Sequence, residues 1–479
     1  MSAHLLPCRR PRGLRGGPSR RRALARLAAL AALAALGLRP RHAAAQPADA
    51  GTTTTTRLLR ERLPFRGAGL AAAVVDGEAL RFASAGDEPA PVTPDTLFEL
   101  GSVTKTFTAL LLAESVVRGE LSLDDPVEAA LPDGLRLRDV AGAPITWADL
   151  ATHRSGLPRL PANLRDPSGA DPYDYSRREL LAFIADWRPT LRRDAAWGYS
   201  NLGYGLLAEA LALQAGQPYA ALLQARVLQP LGLDGMALAL RAPPVPGLLP
   251  GFDAQGRPVP NWRFDAIAGA GALVGSARQL ARYAQAALGV FDHPLQPAFA
   301  LAMQPRADGP APINRMTLGW LTAPLFGRQV LNHDGGTGGY ASSLWLDPAG
   351  RRAALVLARG AQPVNDLALH LLEPRVPARD LAAERRQTER AAVTLPEAQL
   401  GVLVGRYRLN PQFAVELRLR DGRLFAQATG QDEFELFAQA PRRFFARVTP
   451  LEMVFEGADG PPPAFELQQG GQRLRFVRE

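Results

Sequence analysis

The sequence has one cysteine, Cys8, and one lysine, Lys105, in 479 residues. A lone N-terminal cysteine excludes a disulfide framework, thiol catalysis and a Cys-based metal site in the body of the chain. Long apolar runs are missing too. Leu27–Leu38 has 12 residues, short of the about 18 that a membrane span needs. No His-Glu-x-x-His occurs, and the histidines after residue 45 (His153, His293, His333 and His370) are widely spaced, so no metal site is expected. No serine stands in Gly-x-Ser-x-Gly. Gly198-Tyr199-Ser200-Asn201 lacks the second glycine, which excludes the α/β-hydrolase nucleophile turn. Gly269, Gly271 and Gly275 have the wrong spacing for a dinucleotide loop, and no cofactor is expected. Acidic residues are absent from residues 1–45, which hold ten arginines. The net charge of +9 therefore becomes −1 over residues 46–479, and no nucleic-acid partner is expected.

What is present is an ordinary globular composition, 47% hydrophobic and 21% charged. Arg20-Arg21-Arg22 and Arg26, the apolar Leu27–Leu38 and Ala43-Ala44-Ala45 predict a signal peptide over residues 1–45. Ser19-Arg20-Arg21 leaves open a twin-arginine or a general export route. An uncleaved amphipathic anchor is the alternative to cleavage. The expectation is a periplasmic or secreted protein without stable membrane insertion. Residues 46–56, with Thr52–Thr56, read as a loose tether.

Residues 57–372 mix strand and helix signals. Leu70–Ala83 around Asp76-Gly77 predicts a hairpin. Leu202–Ala215 and Ala277–Leu288, the latter capped by Ser276, predict helices. Ala341–Leu346 and Ala353–Ala358 predict strands joined by Asp347-Pro348-Ala349-Gly350. Strands at both ends point to one sheet assembled from distant segments. Residues 373–394 are charged on nearly every face and read as a linker. Residues 395–479 alternate as strands, with Val415, Leu417 and Leu419, then Asp421-Gly422, then Leu424 and Ala426. A small β-barrel or sandwich is predicted there.

The lone lysine carries the chemistry. Every other basic side chain except histidine is arginine, 54 in all. One reading is that lysine does here what arginine cannot, since an ammonium can give up its proton where a guanidinium does not; the alternative is a lone surface or capping lysine. Ser102 lies three residues before it, in a chain with only 13 serines. If Gly101-Ser102 opens a helix, the hydroxyl and the amine share a face, and a desolvated amine can take the serine proton. Tyr199-Ser200-Asn201 offers a phenol that relays protons and an amide that orients a substrate, although alone it reads as a helix cap. His333-Asp334-Gly335-Gly336-Thr337-Gly338-Gly339-Tyr340 lets backbone come close to a ligand, or is simply a flexible hairpin. His153 reads as structural, and Trp197 as a core aromatic.

These three clusters, in this order, resemble the serine β-lactamase and penicillin-binding superfamily with its Ser-x-x-Lys signature. The similarity is greatest to class C β-lactamases and related D-alanyl peptidases and esterases. Phe98–Lys105, Leu121–Pro126, Thr152–Pro158 and Gly269–Leu273 carry it as well, and it covers roughly residues 60–372. It implies an α+β sandwich: an antiparallel sheet flanked by helices, an all-helical subdomain, and then a small all-β C-terminal domain. It implies Ser102 as the acylated nucleophile, Lys105 as its proton acceptor or electrostatic helper, Tyr199 in the relay and Asn201 on a substrate amide. His333, Asp334 and Gly335 take the place of the family's Lys-Thr-Gly strand. The N–H groups of Ser102 and Gly336 would hold the oxyanion. The partner implied is a small molecule or peptide: a β-lactam, a D-amino-acid peptide or an ester. Asp334 departs from the pattern, since at ~4 Å it would repel a substrate carboxylate by about 4 kcal/mol at an effective dielectric of ~20. That departure favours the peptidases and esterases, with Arg359 as a candidate compensating cation. The rival expectation is a non-hydrolytic β-lactam-sensing or cell-wall-binding protein. Lys105 together with Tyr199 favours turnover, because a relay also serves deacylation.

Overall fold

The computed structural model describes residues 50–479 except 64–66, 87–90, 165–173, 194–196, 254, 311–313, 382–385, 387–388, 411–412, 430–432, 448–450 and 470–471. The leader expected over residues 1–45 lies outside the described residues.

Eight strands form the main sheet. β1 (Gly69–Asp76) and β2 (Ala79–Gly86) make the expected hairpin. The rest come from later in the chain: β3 (Ala307–Asp308), β4 (Arg315–Met316), β5 (Leu321–Leu325), β6 (Arg328–Gly336), β7 (Tyr340–Asp347) and β8 (Arg352–Arg359). Their order is β2-β1-β8-β7-β6-β5-β4-β3, and every pairing is antiparallel. β1 pairs with β8 from Gly69↔Arg359 to Asp76↔Arg352, so sequence-distant ends close the sheet.

Period-two alternation buries both faces. Ala71, Ala73, Leu344, Leu355 and Leu357 belong to one apolar cluster, and Leu70, Ala72, Trp345, Ala354 and Val356 to another. A sheet that is apolar on both sides must be a middle layer. On the first face lies α4 (Ala277–Ala287), which begins with a capping box made by Ser276 and Gln279. The second face is covered by α5 (Asn365–Leu372) and by Leu59 of α1 (Ala50–Glu61).

The tether expected over residues 46–56 is therefore helical from Ala50 onward. Five consecutive threonines are poor helix formers. Leu59, 1% exposed in the second cluster, and the buried ion pair of Arg62 with Asp366 supply the docking that local propensity does not signal.

α2 (Thr104–Val117) is buried from Thr104 to Ser115, and α3 (Asn201–Ala215) is buried over most of its length. A helix apolar all round belongs in an interior, and these two form the heart of the helical half. Polar groups on such a helix need partners. Thr106 Oγ1 donates to Val103 O at 2.8 Å, and Thr108 Oγ1 donates to Gly269 O at 2.8 Å.

After the charged segment, eight antiparallel strands between Gly405 and Arg478 close into a barrel, the last pairing with the first through Tyr407↔Arg478. Inward alternation packs Tyr407, Phe444, Phe455, Phe465 and Phe476 into its centre. Arg390 and Val393, at the end of the charged segment, bind Glu452 and Ala438 of the barrel.

Candidate active site

Ser102 sits on a 3₁₀ turn, Gly101–Val103, that feeds directly into α2. Three residues per turn eclipses positions i and i+3, which brings Lys105 over Ser102. Lys105 is 0% exposed. Its Nζ lies 3.0 Å from Ser102 Oγ, 2.8 Å from Asn201 Oδ1 and 2.7 Å from the Ala270 carbonyl. Burial, helped by the nearby positive charge of Arg159, holds the Lys105 pKa well below its ordinary value. Asn201 Oδ1 and Ala270 O can only accept, so they take two of the lysine's hydrogens, and an amine that gives up its third proton turns a lone pair to the Ser102 hydroxyl.

The Tyr199 hydroxyl lies 2.8 Å from the same Oγ. It is delivered by the cap of α3, where Ser200 Oγ accepts from Gly203 N at 2.8 Å and donates to Pro158 O at 2.7 Å. His153 supports this turn. Its Nδ1 accepts from Ser200 N at 3.1 Å, and its ring centre is 4.5 Å from that of Tyr199. Burial, then the charges of Lys105 and Arg159, lower the His153 pKa well below its ordinary value, in keeping with an acceptor at Nδ1.

The opposite wall is β6. Alternation aims His333 and Gly335 at the face that bears Leu344 and Leu357, towards Ser102. Asp334 pairs with Ser343, which pairs in turn with Val356 on the other face, and the Asp334 carboxylate accepts from Ser343 Oγ at 2.6 Å. Strand pleating turns the Asp334 side chain away from Ser102, which weakens the expected repulsion of a substrate carboxylate, while the residue still borders the cavity. His333 Nδ1 donates to Asp334 O at 2.8 Å, which leaves Nε2 as an acceptor. Burial, then the Lys105 charge, push the His333 pKa down to about 3, so this position is uncharged at neutral pH. Arg359 does not compensate as a cation in the cavity. It donates to Gly67 O at 2.7 Å instead and stands outside the cavity lining.

Two glycines let the walls meet. Gly101 has φ +49, and a Cβ there would come within 2.7 Å of Gly336 N. A Cβ on Gly335 would lie 2.1 Å from Leu100 O and 2.3 Å from Ser342 Oγ. Gly335→Ala is expected to force the strand away from the nucleophile turn, at a cost of about 1–3 kcal/mol. Thermal melting and hydrolysis rate should fall together, and an unchanged Tm would refute the close-approach account.

Between the walls lies a cavity of about 580 Å³ that reaches Ser102, Tyr199, Asn201, His333, Gly335 and Gly336. The positions singled out from sequence thus meet in one place, apart from the Asp334 carboxylate. Trp197, expected in the core, is only half-buried and lines the cavity. Trp262, Phe264 and Arg159 also line it and were not anticipated. Arg159 directly follows Pro158, the end of a motif-bearing segment, and that adjacency was the available signal. The two aromatics come from a loop without local signature. Among the described residues no His, Cys, Asp and Glu group suited to a metal ion is present, and no helix is long and apolar enough to cross a membrane.

Sheet, helical half and a serine under a buried lysine define a class, the serine hydrolases with nucleophile and lysine one turn apart. The chain belongs to the beta-lactamase family, whose model matches residues 24–373, opening inside the segment read as a leader. It is 32% identical over 196 residues to a beta-lactamase of Pseudomonas fluorescens, covering 40% of this chain and 52% of that protein. It is 33% identical over 174 residues to the D-alanyl-D-alanine-carboxypeptidase/endopeptidase AmpH of Escherichia coli K12, covering 34% and 44%. The chain spans about half the length of these curated relatives. Among solved structures, a class C beta lactamase from Rhodobacter sphaeroides matches with TM-score 0.58 and 25% identity, over 68% of this chain and 99% of that one. An octameric penicillin-binding protein homologue from Pyrococcus abyssi shares the fold, with TM-score 0.61 and 21% identity over 89% and 98%. Residues ahead of the barrel cannot supply 89% of the chain, so this likeness runs into the barrel.

Proposed function

We propose that the protein is an exported serine hydrolase that forms an acyl-enzyme on Ser102 and hydrolyses an amide or ester: a β-lactam, a D-Ala-type peptide or a small ester. The observation that carries this reading is the set of Lys105 contacts, with Nζ held by two carbonyl oxygens and 3.0 Å from the serine hydroxyl, so that the amine, once it has lost a proton, can accept one from Ser102. Ser102 Oγ attacks the acyl carbon as its proton passes to Lys105 Nζ. The tetrahedral oxyanion rests between the N–H groups of Ser102 and Gly336. Support for Gly336 comes from the ladder. Thr337 N donates to Tyr340 O, so alternation turns the Gly336 amide to the opposite edge of β6, past the last β5 pair at Leu321↔Asn332. Collapse breaks the bond to the leaving group, which takes the proton from Lys105 through the Tyr199 hydroxyl. Water then repeats the cycle on the acyl-enzyme. Asn201 serves here by holding Lys105 through Oδ1, in addition to the substrate-amide role implied by resemblance. Neutral His333 borders the acyl site as a hydrogen-bond acceptor.

A panel of penicillin, D-Ala-D-Ala peptide and short-chain aryl ester, read by hydrolysis rate and intact mass, tests the proposal. Penicillin loss without adduct identifies a β-lactamase. A persistent adduct identifies a peptidase-type or sensing site. Ester or peptide turnover alone identifies the remaining class, and inertness towards all three refutes the hydrolase reading. Tyr199→Phe should lower kcat by about 10²-fold or more, the scale of a general acid–base group. An unchanged kcat would remove Tyr199 from the relay.

A further inference from the structure

The catalytic cavity is short of charge. Its nitrogen bases, Lys105 and His333, are buried, which lowers the pKa of both, and the Asp334 side chain points away to Ser343. Arg159 is the permanent cation among the described lining residues. It is exposed, and its guanidinium carbon stands 5.1 Å from the centre of the Tyr199 ring, whose hydroxyl touches Ser102. Among the described residues, no carboxylate forms an ion pair with it. Elsewhere arginines find acids readily: Arg62 binds Asp366, Arg226 binds Glu114 and Glu120, and Arg328 binds Glu373. The Arg159 main chain is nonetheless fixed, because its carbonyl accepts from Asn201 N at 3.0 Å and Leu202 N at 3.2 Å, at the first turn of α3. The root of the side chain is thus locked to the catalytic helix while its head faces the cavity without an acidic partner.

We propose that Arg159 is the anion anchor of the substrate site, holding a substrate carboxylate while Ser102 attacks the acyl carbon, so that the preferred substrates are anionic amides or esters. This rests on the hydrolase reading above. A planar fork of N–H donors suits a carboxylate, and stacking on Tyr199 restricts the guanidinium to the rim beside the nucleophile.

The test uses two pairs of aryl esters on the full chain. One pair differs only by a carboxylate on the acyl chain, the other only by a carboxylate on the leaving aryl ring. In Arg159→Gln, kcat/KM for the carboxylated member of at least one pair should fall about 10- to 100-fold further than for its neutral partner, mainly through KM. Arg159→Lys should recover part of that difference. Equal losses on both members of both pairs would overturn the proposal, because they would mean that Arg159 acts only through Tyr199 or Lys105. Absence of any loss would overturn it as well. Wild type and Ser102→Ala on the neutral esters report separately on the hydrolase reading. If Ser102→Ala retains the wild-type rate, that reading fails. If it is inactive while Arg159→Gln is blind to charge, only the anchor fails.

Discussion

Replacing Ser102 by alanine is expected to abolish turnover of every acyl substrate, with kcat/KM falling by about 10⁴-fold or more. The size follows from the site. Ser102 Oγ is the hydroxyl that both the lysine amine and the Tyr199 phenol address, at 3.0 and 2.8 Å. Without it Lys105 has no proton to accept, and no covalent intermediate can form. The walls do not depend on that oxygen. Gly101 still abuts Gly336, and Lys105 keeps Asn201 and Ala270. The variant should therefore melt near the wild-type temperature and acquire no mass when exposed to an acylating penicillin or ester. A variant that hydrolyses at the wild-type rate would end the assignment of Ser102.

The second large effect is expected at Lys105. Lys105→Arg keeps a basic side chain but supplies only N–H donors, with no lone pair for the serine proton. Loss of a general base typically costs 10²–10⁴-fold, and we expect about 10³-fold in kcat. Because the side chain is fully buried, Lys105→Met, which is uncharged and unbranched, serves as a second variant whose melting separates misfolding from lost chemistry. The pH profile supplies the sign. Burial lowers the Lys105 pKa, so the amine is active above that pKa and protonated below it. Wild-type kcat/KM should fall as pH drops through this value, and Lys105→Met should show a low rate without that acid limb. His333, pushed down to about 3, is already neutral well above that value, so a limb near neutral pH does not come from it. An identical limb in the Met variant would mean that another group is the base.

Composition and local spacing carried a good deal of this. A lysine retained among 54 arginines singles out a candidate position for proton transfer. Ser102 and Lys105 are legible because the separation of eclipsed positions in a turn is a local property. The hairpin at Asp76-Gly77, the caps at Ser200 and Ser276 and the alternating tail are local too, and each appears where its pattern placed it. The helix from Ala50 was illegible, because its stabilisation comes from Leu59 and Arg62 reaching distant residues.

Which faces look into the cavity was decided by tertiary structure alone. Asp334 is next to His333 in sequence, yet pleating sends the two side chains to opposite sides of β6. Arg359 is a strand-end arginine like many others until the fold gives it to the Gly67 carbonyl, while Arg159 is brought to the nucleophile. The sequence by itself singled out Ser102 and Lys105 as candidate nucleophile and base and determined the alternation of strand and helix, because these depend on residue chemistry and short spacing. Only the folded chain decided how far Lys105 is desolvated and which charged groups border the cavity, because both depend on how much water and which distant groups packing leaves around each side chain.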